Sequence, residues 1–113
     1  MQLAVDRSGD VRILRVRETK LTYPNLSAFL AEVRRLIEEG TRKLVIDLQQ
    51  VGYVDSATIG CFMDLYRQAT AADATLKLAG VQKRVETMLT MTGAQKFLEL
   101  HPDEASAVRS FGG

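Results

Sequence analysis

Hydroxyl and carboxylate side chains crowd into one short stretch, Asp55-Ser-Ala-Thr-Ile-Gly-Cys-Phe-Met-Asp64. Asp and Ser are both favoured helix N-cap residues, and here they stand side by side. Apolar residues then follow at Ile59, Phe62, Met63, Tyr66 and Ala69, the spacing of an amphipathic helix. A serine hydroxyl therefore sits at the mouth of a helix, where unpaired N–H groups and about half a positive charge tolerate an anion. A phosphate on Ser56 would carry about −1.5 to −2 charges at neutral pH. A partner resting on that spot would have to desolvate it, so modification there could switch binding without unfolding its host. The plain alternative, that Ser56 is only a helix cap, stays open on these residues alone.

Other chemistry is sparse. Nucleophilic catalysis needs a base within hydrogen-bond reach of the nucleophile. The one histidine, His101, lies beside Pro102 and reads as a surface or capping residue. Cys61, the one cysteine, falls inside the apolar helix and reads as packing. One cysteine and one histidine build neither an internal disulfide nor a structural zinc site. Neither Gly-x-Gly-x-x-Gly nor a Gly-Lys-Ser/Thr phosphate loop occurs, so no nucleotide or other cofactor is expected. Asp47 is expected to end a strand, Asp55 to cap a helix and Asp64 to face outward. An enzyme is not expected.

The 113 residues fit one domain, 1–113, with 46% hydrophobic and 26% charged residues. Fifteen basic against fourteen acidic side chains leave no excess to neutralise nucleic-acid phosphates. Arg12, Arg15 and Arg17 alternate along one strand and read as a solvated face. No apolar run approaches the ~20 residues of a membrane span, and the first residues lack a secretory pattern. The expectation is a cytoplasmic protein without a membrane span or nucleic-acid partner.

The elements that must position Ser56 can be read in order. Leu3–Asp6 and Val11–Arg17 are strand-like runs around Arg7-Ser-Gly-Asp10, the chemistry of a hairpin. Pro24 and Asn25 open a helix with apolar positions at Leu26, Phe29, Leu30, Val33, Leu36 and Ile37, closed by Gly40. Leu44-Val-Ile46 suits a strand buried on both faces, and Gln49–Gly52 ends it. After the central helix, Thr75–Ala79 is a strand, 81–92 a helix stopped by Gly93, and Phe97–Leu100 a last strand. Pro102 would sit in the first turn of a final helix packed through Ala105, Val108 and Phe111. The order is β-β-α-β-α-β-α-β-α, an α/β domain with a mixed, mostly parallel sheet of about five strands and about four helices. The exposed edge of such a sheet allows a monomer or a weak dimer.

Lys43-Leu-Val-Ile-Asp-Leu, Tyr53-Val-Asp-Ser-Ala-Thr-Ile-Gly60, Leu76-Lys-Leu-Ala-Gly-Val-Gln-Lys-Arg-Val85 and Met91-Thr-Gly93 together resemble a STAS domain, and within it the bacterial anti-sigma factor antagonists. The resemblance spans about Val11 to Phe111. It implies the same helix-covered mixed sheet and places the phosphoacceptor at Ser56, directly after Asp55. It implies that the unphosphorylated protein binds a serine-kinase anti-sigma factor and frees a sigma factor. That kinase would use its own ATP to phosphorylate the serine, and a PP2C-type phosphatase would reset it.

Two departures from the family pattern bear on the partner. The family often reads Asp-Ser-Ser-Gly-Leu-Gly, whereas Ala57, Thr58 and Ile59 precede Gly60 here. Thr58 offers a second hydroxyl, an alternative acceptor, in place of a glycine that lets a backbone approach. After the hairpin, Arg17-Glu-Thr-Lys-Leu-Thr-Tyr-Pro24 keeps an acidic residue at Glu18 but not the usual glycine. The expected contact surface comprises Glu18, Tyr23, Asp55, Ser56, Ala57, Thr58, Gly60, Asp64, Arg67 and Gln68. The alternative function is a constitutive STAS scaffold or accessory subunit of a signalling assembly or lipid-transport ATPase, without phosphorylation.

Overall fold

The computed structural model describes residues 1–112. Strands β1 (Leu3–Ser8) and β2 (Val11–Val16) form the hairpin, turned by Gly9 at φ +62°. After the two-residue strand β3 (Lys20–Leu21) and a 3-10 turn at Tyr23–Asn25 comes helix α1 (Leu26–Glu38). Then follow β4 (Lys43–Asp47), β5 (Tyr53–Val54) and helix α2 (Ser56–Ala71). The chain ends through β6 (Thr75–Ala79), α3 (Lys83–Thr92), β7 (Glu99–His101) and α4 (Glu104–Arg109). The main sheet has the order β1-β2-β4-β6-β7, with β1 antiparallel and the rest parallel. The expected mixed α/β sheet of five strands with four helices is what the chain forms.

The two faces of the sheet are built differently. Leu14, Val16, Leu44, Ile46, Leu76 and Leu78 point to one side and pack against Phe29, Val33, Phe62, Leu65, Val85 and Leu89 of helices α1, α2 and α3. Phe29 and Phe62 meet edge to face, their ring centroids 5.9 Å apart. The alternate residues Val11, Ile13, Val45 and Ala79 form a smaller cluster under Ala107 of α4. Charge completes this second face. Arg15 grips Glu104 through two hydrogen bonds of 2.7 and 2.9 Å, and it also reaches Asp6 at 3.2 Å. Lys77 donates to the Ser110 hydroxyl at 2.6 Å, pairs with Glu99 at 2.8 Å and lies over the Phe111 ring.

Several expectations need correction here. Arg15 is not part of a solvated face but anchors α4. Lys77, in an alternating strand, is buried beneath that helix. Helix α4 is capped by Asp103, which accepts from the Ser106 N–H, so Pro102 lies before the helix. Ala107 rather than Ala105 is its buried residue, with Val108 and Phe111 half-buried beside it. The last strand starts at Glu99, because 94–96 coil into a 3-10 turn and leave Phe97 exposed. Helix α3 starts at Lys83, with Val81 before it. Asn25 does not cap α1 as an ordinary N-cap: its amide braces the turn, accepting from the Thr22 N–H and donating to the Lys20 carbonyl.

The α4 face contains an uneven pair of carboxyls. Burial, together with a hydrogen bond to Glu104, pushes Asp47 up to about 6. The Arg15 hydrogen bonds and the one from Asp47 hold Glu104 down at about 2. The proton of the pair therefore rests on Asp47. A carboxyl raised on folding stabilises the fold when protonated, and that contribution is lost as pH rises from about 4 through about 6. Asp47→Asn should therefore flatten the dependence of the urea midpoint on pH between about 4 and 6.5, with its gain over the parent largest at the higher pH. An unchanged slope would assign that dependence to other groups.

Candidate functional site

Asp55 takes an extended conformation, φ −101° and ψ 176°, and caps α2 by accepting the Thr58 N–H on Oδ1 at 2.9 Å. Its other oxygen accepts the Tyr23 N–H at 2.9 Å, so the same carboxylate fastens the turn before α1 to the start of α2. Burial alone would raise this carboxyl. The bonds from the Thr58 hydroxyl and from the Tyr23 and Thr58 N–H groups outweigh it and hold Asp55 below the usual range.

Ser56 is the first residue of α2 and is exposed. It is not the cap that the plain reading made it, since Asp55 fills that place. Among the described residues its hydroxyl has no hydrogen-bond partner, so it stands free at the positive end of a 16-residue helix. Thr58 is its opposite. Its side chain is fully buried, with Oγ1 at 2.7 Å from both the Leu21 carbonyl oxygen and Asp55 Oδ1. The single hydroxyl proton is shared between these two acceptors. Thr58, expected as an alternative acceptor and a contact residue, therefore offers no hydroxyl to the surface in this conformation. The side chain that replaces the family's glycine points inward rather than towards a partner.

The pieces meet through a feature absent from the sequence reading. Strands β3 and β5 form a two-residue parallel ribbon, with Lys20 beside Tyr53 and Leu21 beside Val54. The Gly52 N–H donates to the Thr19 carbonyl at 2.8 Å just before it. This ribbon carries the β2–α1 connection alongside the loop leading to Asp55. Tyr23 is thereby presented beside Ser56, with three-quarters of its surface exposed, and Tyr53 is exposed by 42%. Between α1 and α2 lies an open, mainly apolar depression of about 470 Å³, lined by Tyr23, Pro24, Leu30, Ala57 and Cys61 among others. Cys61 is half-buried in its floor rather than enclosed in the core, and burial pushes its thiol up.

Gly60 is exposed one turn beyond Ser56, and a Cβ there would meet nothing within 4 Å. Asp64 and Arg67 are exposed on the next turn and paired at 2.8 Å. Gln68 accepts from Arg34 at 3.3 Å, tying α2 to α1. Glu18 departs from the group: its carboxylate accepts the Gln2 N–H at 2.7 Å and so fastens the first residues of the chain. Tyr53, Leu30 and Cys61 were missed as site residues. Tyr53 carried a legible signal, an aromatic side chain opposite in phase to inward-facing Val54. His101 sits on strand β7 beside Glu99, away from Ser56. Among the described residues no group of three or more His, Cys, Asp or Glu side chains could hold a metal, and no helix is long and apolar enough to cross a membrane.

The STAS domain family model matches residues 2–107. The chain belongs to the STAS family. An anti-sigma-B factor antagonist of Staphylococcus aureus is 29% identical over 87 residues, which cover 77% of this chain and 76% of that protein. A putative anti-sigma factor antagonist of Thermotoga maritima superposes with a TM-score of 0.86 at 20% identity, covering 96% of this chain and 92% of that one. The phosphorylated Bacillus cell fate determinant SpoIIAA superposes at 0.73 with 12% identity, covering 97% and 99%. In this STAS domain, exposed Ser56, Ala57 and Gly60 lie at the helix mouth beside the Tyr23 corner, which Asp55 ties to it.

The Thr58 clamp has a measurable weight. Thr58→Val keeps the shape of the side chain but strips a proton from two acceptors, one of them the carbonyl of fully buried Leu21. It should lower the unfolding free energy by about 1–3 kcal/mol in a urea titration. A variant as stable as the parent would mean that the clamp is not what holds the ribbon to α2.

Proposed function

We propose that this STAS protein is an anti-sigma factor antagonist whose binding is controlled by phosphorylation of Ser56. The observation carrying this reading is the split between two neighbouring hydroxyls: Ser56 exposed and unengaged, Thr58 buried and hydrogen-bonded. The names of its relatives point the same way. In the unphosphorylated state the flat surface of Ser56, Ala57 and Gly60, flanked by Tyr23 and the apolar depression, docks a serine-kinase anti-sigma factor and releases a sigma factor in the cytoplasm. The kinase transfers the terminal phosphoryl group of its ATP to Ser56 Oγ, releasing ADP and a proton. A PP2C-type phosphatase returns the serine by hydrolysis. No chemistry by this chain is required.

The switch works through local electrostatics. The helix dipole and the free N–H groups of the first turn favour a phosphate on Ser56, so the modified protein stays folded. The Asp55 carboxylate next to it adds negative charge at the same spot. An approaching partner would have to strip water from both groups, and each ~1.4 kcal/mol of that cost is a tenfold loss of affinity. Asp64 and Arg67, already paired with each other, contribute contact area more than charge.

Parent, Ser56→Ala and Ser56→Asp baits in native lysate, read by mass spectrometry, test this reading. The first two should retain an ATP-binding serine kinase, and Ser56→Asp should retain about a tenth or less. Phosphate added by that kinase should map to Ser56 and not Thr58. Equal capture by all three baits would overturn the switch and leave a constitutive scaffold.

A further inference from the structure

The end of the sheet opposite Ser56, where the hairpin turns and β4 begins, carries an unneutralised cluster of arginines. In the antiparallel β1–β2 pair, Arg7 lies directly opposite Arg12. Like charges in that relation repel, and neither strand otherwise needs a cation there. Arg12 is half-buried, an unusual state for a guanidinium without a carboxylate. Among the described residues neither side chain has an ion-pair or hydrogen-bond partner. The nearby carboxylates are spoken for: Asp6 by Arg15, Asp10 by Lys43 and Glu39 by Arg35.

Arg7 and Arg12 border an open depression of about 440 Å³ together with Arg42, Lys43, Thr41 and Gly40, and its two carboxylates, Asp10 and Glu39, are those paired with Lys43 and Arg35. The C-terminus of α1 also faces this region, and its carbonyls could have been the reason for the positive charge. Several of them have other donors, and none accepts from Arg7 or Arg12. The Gly40 and Thr41 N–H groups bond the Ile37 and Leu36 carbonyls, and Arg42 donates to the Thr41 carbonyl at 3.1 Å. Four cations thus meet two carboxylates that are already paired, and Arg7 and Arg12 are left without an ion-pair partner. No aromatic or large aliphatic side chain lines the depression, so it has no surface on which a nucleobase or acyl chain could stack.

We propose that this depression is a binding site for an oligophosphate anion, separate from the Ser56 surface. Guanidinium forks recognise phosphate oxygens by paired, charge-assisted hydrogen bonds. Three of them around one depression suit a chain of linked phosphates better than a single one. Bound there, the anion replaces the Arg7–Arg12 repulsion with attraction and cross-links the hairpin to the start of β4.

Titration calorimetry with sodium tripolyphosphate, inorganic phosphate, sulfate and ATP, all at constant ionic strength, tests the site. Tripolyphosphate should bind more tightly than phosphate or sulfate, and Arg7→Gln/Arg12→Gln should weaken it by at least about tenfold. ATP should bind no more tightly than tripolyphosphate, because only its phosphates are recognised. Ser56→Asp should leave tripolyphosphate affinity unchanged. Without ligand, Arg7→Gln should melt no lower than the parent, since it relieves a repulsion at an exposed position. Equal affinity for sulfate and tripolyphosphate, an unweakened double variant, or markedly tighter ATP binding would each overturn the proposal.

Discussion

The buried hydroxyl of Thr58, set between the Leu21 carbonyl and the Asp55 carboxylate, is the contact on which the candidate site depends. Two segments far apart in the chain converge on it: β3 with the turn that follows it, and the first turn of α2. Asp55 completes the junction by bonding the Tyr23 N–H. Because Asp55 and Thr58 satisfy the inward-facing donors and acceptors, Ser56 is left with no structural duty. A helix mouth that needed its serine as a cap could not also surrender that hydroxyl to modification. Here capping and exposure fall to different residues, one position apart.

The two sheet faces divide stability and display in a similar way. Helices α1, α2 and α3 cover an apolar face, and the burial of Phe29, Phe62 and Leu65 dominates the core. Helix α4, six residues long, rests on a thinner apolar cluster supported by Arg15, Asp47 and Lys77. Six residues cannot bury enough apolar surface to hold themselves, so the Arg15–Glu104 ion pair and the Lys77–Ser110 hydrogen bond finish the attachment. Among the described residues no buried side-chain polar atom lacks a partner, even on this charged face. The Ser56 surface belongs to the apolar side, where the rigid α1–α2 packing holds it in place.

Much of this architecture was legible from residue order. The continuous apolar run Leu44–Ile46, the alternation in Thr75–Ala79, the 3.6-residue spacing in α1 and α2, and the glycines at 9, 40 and 93 mark element types and ends. Asp55 and Ser56 announced a helix start with a spare hydroxyl, although not which of the two would cap. Element ends near Pro102 and Phe97 were harder, because a 3-10 turn and an Asp103 cap compete locally with the patterns that Pro102 and the apolar run suggested. The β3–β5 ribbon had almost no signal: two residues per strand are too few for any periodicity to show.

By itself, the sequence determined the α/β order, the mixed sheet and the position of a hydroxyl at a helix mouth, because these rest on local periodicity and capping chemistry. Tertiary structure alone decided which hydroxyl is free. Ser56 and Thr58 differ by two positions on the first turn of one helix, and although Thr58 shares the face of Phe62 and Leu65, that spacing does not say whether its hydroxyl finds a buried partner. The carbonyl of Leu21, brought in from 37 residues earlier in the chain, buries one and leaves the other in water. The same holds for Arg15 and Lys77, cations on alternating strands that a short helix from the end of the chain covers. Partners distant in sequence set the burial of a polar side chain, and burial sets what it can do.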